Sequence, residues 1–133
     1  MPFQPPAAHD PCPCGTGATL AGCCGRWHAG PQHLQAPDAT ALMRSRYSAY
    51  VLGLADYLLD TWHPRTRPHD LRPDPDLRWL GLEVRHAAQQ DAHHATVTFI
   101  ARSKSGGRAT RLHERSRFER IDGRWFYLDG DSG

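Results

Sequence analysis

The chemistry this chain can do is concentrated in its cysteines. Cys12, Cys14, Cys23 and Cys24 are its only four, and all fall within thirteen residues. Thiolates packed this closely, with Gly15, Gly17 and Gly22 among them, suit a small metal knuckle. Zn²⁺ takes four soft or borderline ligands at tetrahedral corners. A Cys-x-Cys pair supplies two from one tight turn, glycine at positive φ lets the backbone bend there, and Cys23 with Cys24 closes the site. His28 is the substitute for Cys24 as fourth ligand. A disulfide pair suits a secreted mini-protein, for which no leader is seen ahead of the motif, and adjacent cysteines rarely bridge each other. A redox dithiol more often reads Cys-x-x-Cys on a βαβ pattern. A full shell of four thiolates leaves no position open for catalysis, so the expected ion is a structural zinc.

Elsewhere, two groups have the chemistry of an acid–base pair, Glu114 and His63. They are the catalytic candidates, with Trp62, Tyr47, Phe118 and Tyr127 as pocket walls. Two other readings compete. Glu114 can form a buried ion pair with Arg46 or Arg44, because a desolvated carboxylate is costly unless paired. It can also face a ligand with no chemistry at all. His63 precedes Pro64, and a histidine at a helix end commonly binds the last carbonyls. The arginines Arg108, Arg111, Arg115, Arg117, Arg120 and Arg124 form the one dense charge run. Glu114, Glu119, Asp122 and Asp129 balance it, so nucleic acid is not the expected partner. His93-His94 with Asp91 offers at most a weak surface metal site. No phosphate loop, His-Glu-x-x-His or Gly-x-Ser-x-Gly string occurs.

The elements that must position these groups follow from length and pattern. The chain has 133 residues and a formal charge of +2, enough for one core and too weakly basic to argue for nucleic acid. Its apolar stretches are too short to span a bilayer. With thiols available for metal, the expected compartment is the cytoplasm. Residues 1–11, with four prolines, read as a flexible arm; 12–30 form the knuckle; 38–130 form the main domain. Asp38 caps a helix from Ala39, with Met43, Tyr47, Tyr50, Val51 and Leu54 on one face. Gly53 breaks it. A second helix covers Leu54 to Trp62 and stops before Pro64. Arg65 to Asp76 is a loop with room for a short third helical turn.

Four strands follow, over Leu80–Gln90, His94–Ser103, Ala109–Ile121 and Arg124–Asp129. Helices first and hairpin-linked strands after give an α+β fold, with the helices packed on one face of a curved antiparallel sheet. Asp122-Gly123 predicts a type I′ turn. That turn sets Phe118 opposite Tyr127, Arg120 opposite Trp125 and Ser116 opposite Asp129. Leu112, Glu114, Ser116, Phe118, Trp125 and Tyr127 then face the helices, unless a bulge shifts the alternation. Arg115, Arg117, Glu119, Phe126 and Leu128 face away.

The motif Cys12-Pro13-Cys14-Gly15-Thr16-Gly17 followed by Cys23-Cys24 resembles the SEC-C zinc motif at the tail of the translocase ATPase SecA. The strings Leu42-Met43-Arg44-Ser45-Arg46-Tyr47, Thr61-Trp62-His63-Pro64, Trp79-Leu80-Gly81-Leu82 and Asp122-Gly123-Arg124-Trp125-Phe126 extend the likeness. Over Cys12 to Gly130 the chain resembles the YchJ family of uncharacterised bacterial proteins. The resemblance implies a SEC-C-like zinc knuckle joined to an NTF2-like cone. Such cones hold carboxylates and histidines in enzymes of the isomerase or dehydratase kind, and small ligands elsewhere. SEC-C motifs usually carry lysines and an aromatic where this chain has Ala18, Thr19 and Leu20. The function expected is a non-enzymatic adaptor. Its knuckle would dock on a cytosolic protein through Leu20, Arg26 and Trp27. The alternatives are acid–base chemistry or a small ligand in the cone and, behind them, an RNA- or ribosome-associated role through the arginine face.

Overall fold

The computed structural model describes residues 6–72 and 74–132. Helix α1 covers Gly25–His28, α2 Ala39–Leu52 and α3 Ala55–Asp60. Strands β1 (Arg78–Gln89), β2 (His94–Ser105), β3 (Arg108–Ile121) and β4 (Arg124–Ser132) form one antiparallel meander in the order β1-β2-β3-β4. Asp38 caps α2 as its sequence requires, its carboxylate accepting the Ala41 N–H at 2.7 Å. Gly53 ends that helix in the left-handed region, at φ 72°.

The second helix is shorter than its pattern suggests. It stops at Asp60 because the chain turns to join the sheet: Tyr127 N–H donates to Thr61 O, and His63 N–H to Tyr127 O at 2.7 Å. Trp62 thereby becomes a parallel bridge partner of Tyr127. Among the described residues from 65 to 76 there is no third helix.

Asp122 and Gly123 both have positive φ, 50° and 79°, so the tight turn forms with its type I′ signature. Phe118 pairs with Tyr127 and Arg120 with Trp125. Ser116, however, faces Gly130 and not Asp129. Leu128 is an extra residue, a bulge between the pairs Phe118–Tyr127 and Arg117–Asp129. It sends Asp129 to the outer face, where Arg117 reaches both Asp129 and Asp131. The helix-facing side of β3 is as the alternation predicts: Ser116 and Phe118 are buried, Glu114 is half-buried and Leu112 lies at the rim.

Helix α2 lies between two regions. Met43, Arg46, Tyr47 and Tyr50, at i, i+3, i+4 and i+7, share one face and look over the sheet. Arg44, Ser45 and Ser48 meet the knuckle behind it. Apolar residues of knuckle, helices and sheet form one continuous core, from Cys14 and Trp27 through Leu42 and Leu58 to Val97 and Phe118. The expected arm over 1–11 falls outside the described residues as far as residue 5. Beyond that, Ala8 and Asp10 carbonyls accept the N–H groups of Ala21 and Leu20.

Candidate metal centre and cone cavity

The knuckle is built by a small hairpin. Cys12 N–H donates to Ala18 O at 2.8 Å, and Pro11 bridges Thr19. Between them Gly15 and Gly17 take φ of 86° and 90°, which turns the Cys-x-Cys segment back on itself. Gly25 answers a different need: a Cβ there would lie 2.7 Å from the Leu20 carbonyl oxygen. That close approach carries the chain from Cys23 and Cys24 into α1. All four sulfurs come within 4.8 Å of one another, and all four cysteines are buried. Cys14 and Cys23 Sγ are 3.6 Å apart. A tetrahedral Zn–S shell needs sulfurs about 3.8 Å apart, as Zn–S bonds near 2.3 Å dictate. The donor set fits zinc in both type and spacing.

The thiols perturb one another strongly. Hydrogen bonds from Cys14 and Cys24, with help from Ser48, hold the Cys12 sulfur far below the ordinary thiol range. Hydrogen bonds with Cys12 and Cys14, and burial after them, push Cys24 far above it, with Ser48 opposing. A buried group of four sulfurs cannot carry four negative charges unaided, and a divalent cation is what lets them all ionise. Around the cluster, Ser48 Oγ lies 3.4 Å from Cys12 Sγ and Thr16 Oγ1 3.1 Å from Cys23 Sγ. Arg44 donates to Cys14 O at 2.8 Å.

His28 is turned away from the sulfurs. Its Nε2 is 2.8 Å from Ser45 O, and a carbonyl only accepts, so that nitrogen carries the proton. Burial lowers its pKa and the Ser45 bond opposes the shift. The ring packs edge-on to Tyr57. Of the residues expected to dock a partner, Leu20 and Trp27 are buried and Arg26 is exposed, its guanidinium 4.5 Å above the Trp27 ring.

On the other side of α2 lies a cavity of about 270 Å³. Met43, Arg46, Tyr47 and Tyr50 line it from α2, Trp62 from the turn after α3, and Trp79, Phe99, Ala101, Leu112, Glu114, Ser116, Phe118 and Tyr127 from the sheet. Arg46 is only 5% exposed. Its Nη1 donates to Leu58 O and Thr61 Oγ1, both at 2.7 Å, and its guanidinium carbon sits 4.9 Å from the Trp62 ring and 4.7 Å from that of Tyr127. Desolvation lowers its pKa, partly opposed by the surrounding tyrosines and Glu114. Glu114 accepts from Ser116 Oγ at 2.5 Å. Gly130 leaves room for it, since a Cβ at that position would lie 2.6 Å from the Glu114 carboxyl. Burial raises Tyr47 and Tyr127 to about 12, Glu114 adding to the effect at Tyr127.

The two candidate catalytic groups are not brought together. Glu114 lines the cavity, whereas His63 sits beyond the sheet's other face beside Phe126 and Glu119. His63 Nδ1 accepts from the Arg65 N–H, and Nε2 lies 3.1 Å from Glu119 Oε2, close enough for an ion pair though not aligned as a hydrogen bond. His63 thus serves the turn after α3. Nor does Glu114 form an ion pair with Arg46 or Arg44 among the described residues; Arg44 goes to the knuckle and Arg46 to the end of α3. Sequence reasoning missed Trp79 as a wall residue, packed against Tyr47 and Tyr50 at 5.6 and 5.8 Å. It also missed Gly130. The signal for Trp79 was present, an aromatic at a strand start; Gly130 had none, because the register expected without the Leu128 bulge sets it opposite Arg115 on the outer face.

Comparison with known proteins separates the two parts. The family model for the middle, NTF2-like domain of YchJ matches residues 38–130. The chain is 58% identical over 129 residues to a UPF0225 protein of Bordetella parapertussis, covering 96% of this chain and 97% of the relative. This chain belongs to the YchJ-type UPF0225 family. A Streptomyces coelicolor UPF0225 protein shares 55% identity, with 91% of this chain and 94% of that relative covered. Two solved structures of SEC-C motif containing proteins also match this YchJ-type chain. The one from Rhodopseudomonas palustris has a TM-score of 0.80 at 35% identity, over 92% of this chain and 98% of that one. The one from Psychrobacter arcticus gives 0.77 at 28%, over 95% and 84%. An α+β domain with helices packed on a four-stranded antiparallel sheet, and a SEC-C-like cysteine cluster before it, is therefore the architecture of this family member.

Proposed function

We propose that this protein is a cytoplasmic small-molecule-binding protein without catalytic activity, in which a structural zinc holds α2 and the cone holds the ligand. The observation that carries the reading is the cavity's polar content. Arg46 and Glu114 face one aromatic-walled space, yet neither has an oppositely charged side chain within ion-pair distance among the described residues. A closed core would have paired them or replaced them with apolar groups. Buried clefts with few polar groups among aromatic walls are the usual form of small-ligand sites.

Zinc is supported by the four buried thiols and their spacing, and the cytoplasm by the need to keep those thiols reduced. Among the described residues no helix is long and apolar enough to cross a membrane. Acid–base catalysis draws less support, because Glu114 has no partner base in the cavity and His63 is committed elsewhere. Docking of a protein on the knuckle draws less as well, since Leu20 and Trp27 pack into the core. For RNA binding the outer arginine face is weakened by Asp129 and Asp131, which take up Arg117.

The test is two-dimensional NMR of the zinc-loaded protein against a fragment set spanning acids, amines and neutral aromatics. Ligand-dependent shifts at Phe99, Ser116 and Tyr127 are expected. Shifts absent there for every compound would end the small-molecule reading.

A further inference from the structure

We infer that the cone receives a small aryl carboxylate bearing a hydrogen-bond donor at its far end, with the acid group on Arg46 and the donor on Glu114. This rests on the reading of the cone as a ligand site and adds the class of ligand.

Charge decides the polarity of the ligand. Arg46 is buried, and only its Nη1 has hydrogen-bond acceptors, Leu58 O and Thr61 Oγ1, both neutral. Nε and Nη2 have no acceptor among the described residues. Those two N–H groups lie along one edge of the guanidinium and match a carboxylate with two parallel hydrogen bonds. Burying a guanidinium with no anion in direct contact is costly, and Glu114 acts on it only from a distance, so the cavity lacks one negative group at this wall. Across the cavity Glu114 has the reverse shortage. Ser116 occupies Oε2, while Oε1 has no donor among the described residues. A second anionic group on the ligand would meet Glu114 repulsively, and an amine without an acid group would leave Arg46 unanswered. The complementary molecule is an acid at one end and a donor at the other.

Walls and volume decide its body. Tyr47, Tyr50, Trp79 and Phe99 line the same space as the two charges. An aromatic ligand gains from aromatic neighbours beyond its buried area alone. A cavity of about 150 Å³ admits benzene, so one of about 270 Å³ holds a ring with short polar arms. Gly130 keeps the Glu114 end open, because any side chain there would occupy the carboxylate's place.

Calorimetry and ¹H–¹⁵N NMR on the zinc-loaded full chain test this with four probes: 3-(4-hydroxyphenyl)propionate, 3-phenylpropionate, 3-phenylpropylamine and hexanoate. The hydroxylated acid is expected to bind best, with the amine weaker by about tenfold or more and hexanoate weaker than either aryl acid. Arg46→Lys should weaken both aryl acids by about tenfold, since an ammonium loses the paired geometry. Glu114→Met should abolish the advantage of the hydroxyl, so that the two aryl acids bind alike. Because Arg46 variants also disturb the α3 contacts, the wild-type Arg46 Nε–H resonance gives a second readout, and it should move downfield with the acids only. Equal affinity for acid and amine, or an unmoved Arg46 resonance in an acid-saturated protein, would overturn the ligand class while leaving the cone a binding site. If no probe of any charge shifts the cavity resonances, the binding reading itself falls.

Discussion

The knuckle and the cone lie on opposite sides of α2 and are finished to different degrees. At the cysteine cluster four equivalent donors converge, and the neighbouring polar groups, Ser48, Thr16, His28 and Arg44, all have partners. In the cone a cation and an anion face a space of about 270 Å³ with part of their hydrogen-bonding capacity unmet. The first arrangement suits permanence. A full coordination shell ionises its thiols once and then adds folding free energy. The second suits exchange, because what Arg46 lacks can be supplied and withdrawn. One helix serves both, its Ser45 and Ser48 side held by the knuckle and its Arg46 and Tyr50 side presented to the cavity.

The strongest way to break this picture is to take away the metal. One zinc per chain is expected on purification. Chelation, or Cys14→Ser, should lower the thermal midpoint by on the order of 10 °C or more, since the knuckle shares its core with the domain. It should also move the NMR signals of Met43 and Arg46. An unchanged melt with an unmoved cavity would make the two regions independent.

Next come two matched glycine substitutions. Gly25→Ala forces a Cβ against the Leu20 backbone, and urea unfolding should show a loss of about 2–3 kcal/mol. Gly130→Ala meets only the carboxyl end of Glu114, which can swing. Its stability loss should stay near about 1 kcal/mol, with a larger proportional loss in ligand affinity. Equal stability losses would blur the distinction between a rigid region and an adaptable one.

Alkaline pH gives an effect that is smaller for each residue and spread more evenly over the two regions. Burial raises Tyr47, Tyr57 and Tyr127 from 10.0 to about 12. The unfolded chain therefore loses these protons first. Their contribution is intact below pH 10 and falls away between pH 10 and 12, by about 2 kcal/mol for each of the well-buried Tyr47 and Tyr57. Tyr57→Phe reports the share of the knuckle side, where its hydroxyl meets Ser45, and Tyr127→Phe that of the cone. Each variant should flatten the fall in urea-derived stability measured across that interval.

The smallest effect belongs to neither region. Arg117→Gln on the outer face should reduce stability by less than about 1 kcal/mol, an effect that added salt erases, because its pairs with Asp129 and Asp131 are partly solvated.

What could be read from the sequence was whatever short-range chemistry decides. The cysteine spacing pointed to a four-sulfur cluster, Asp122-Gly123 to a tight turn, and Asp38 with Gly53 to both ends of α2. The alternation along β3 placed Glu114 and Ser116 toward the helices. What escaped depends on contacts distant in the chain. Leu20 and Trp27 look like exposed docking residues until the knuckle is seen packed against Ser45 and Ser48. His63 follows Trp62 by one residue, and nothing local says that the two side chains separate, one to the cone and the other to Glu119. Arg46 could be placed at the edge of an apolar face, but its lack of an acidic partner could not be known without the whole cavity.

Leu128 has a consequence for how the chain tolerates insertions and deletions. Beyond it, Asp129 and Asp131 point outward and Gly130 inward, the order a regular strand would show had Leu128 never been there. Dropping that residue would reverse no later side chain, though Thr66 would lose the carbonyl its hydroxyl binds at 2.6 Å. Ironing out the bulge with Leu128 kept would do the opposite, swinging Asp129 beside Glu114 and placing two negative charges instead of one at the donor-binding end of the cone.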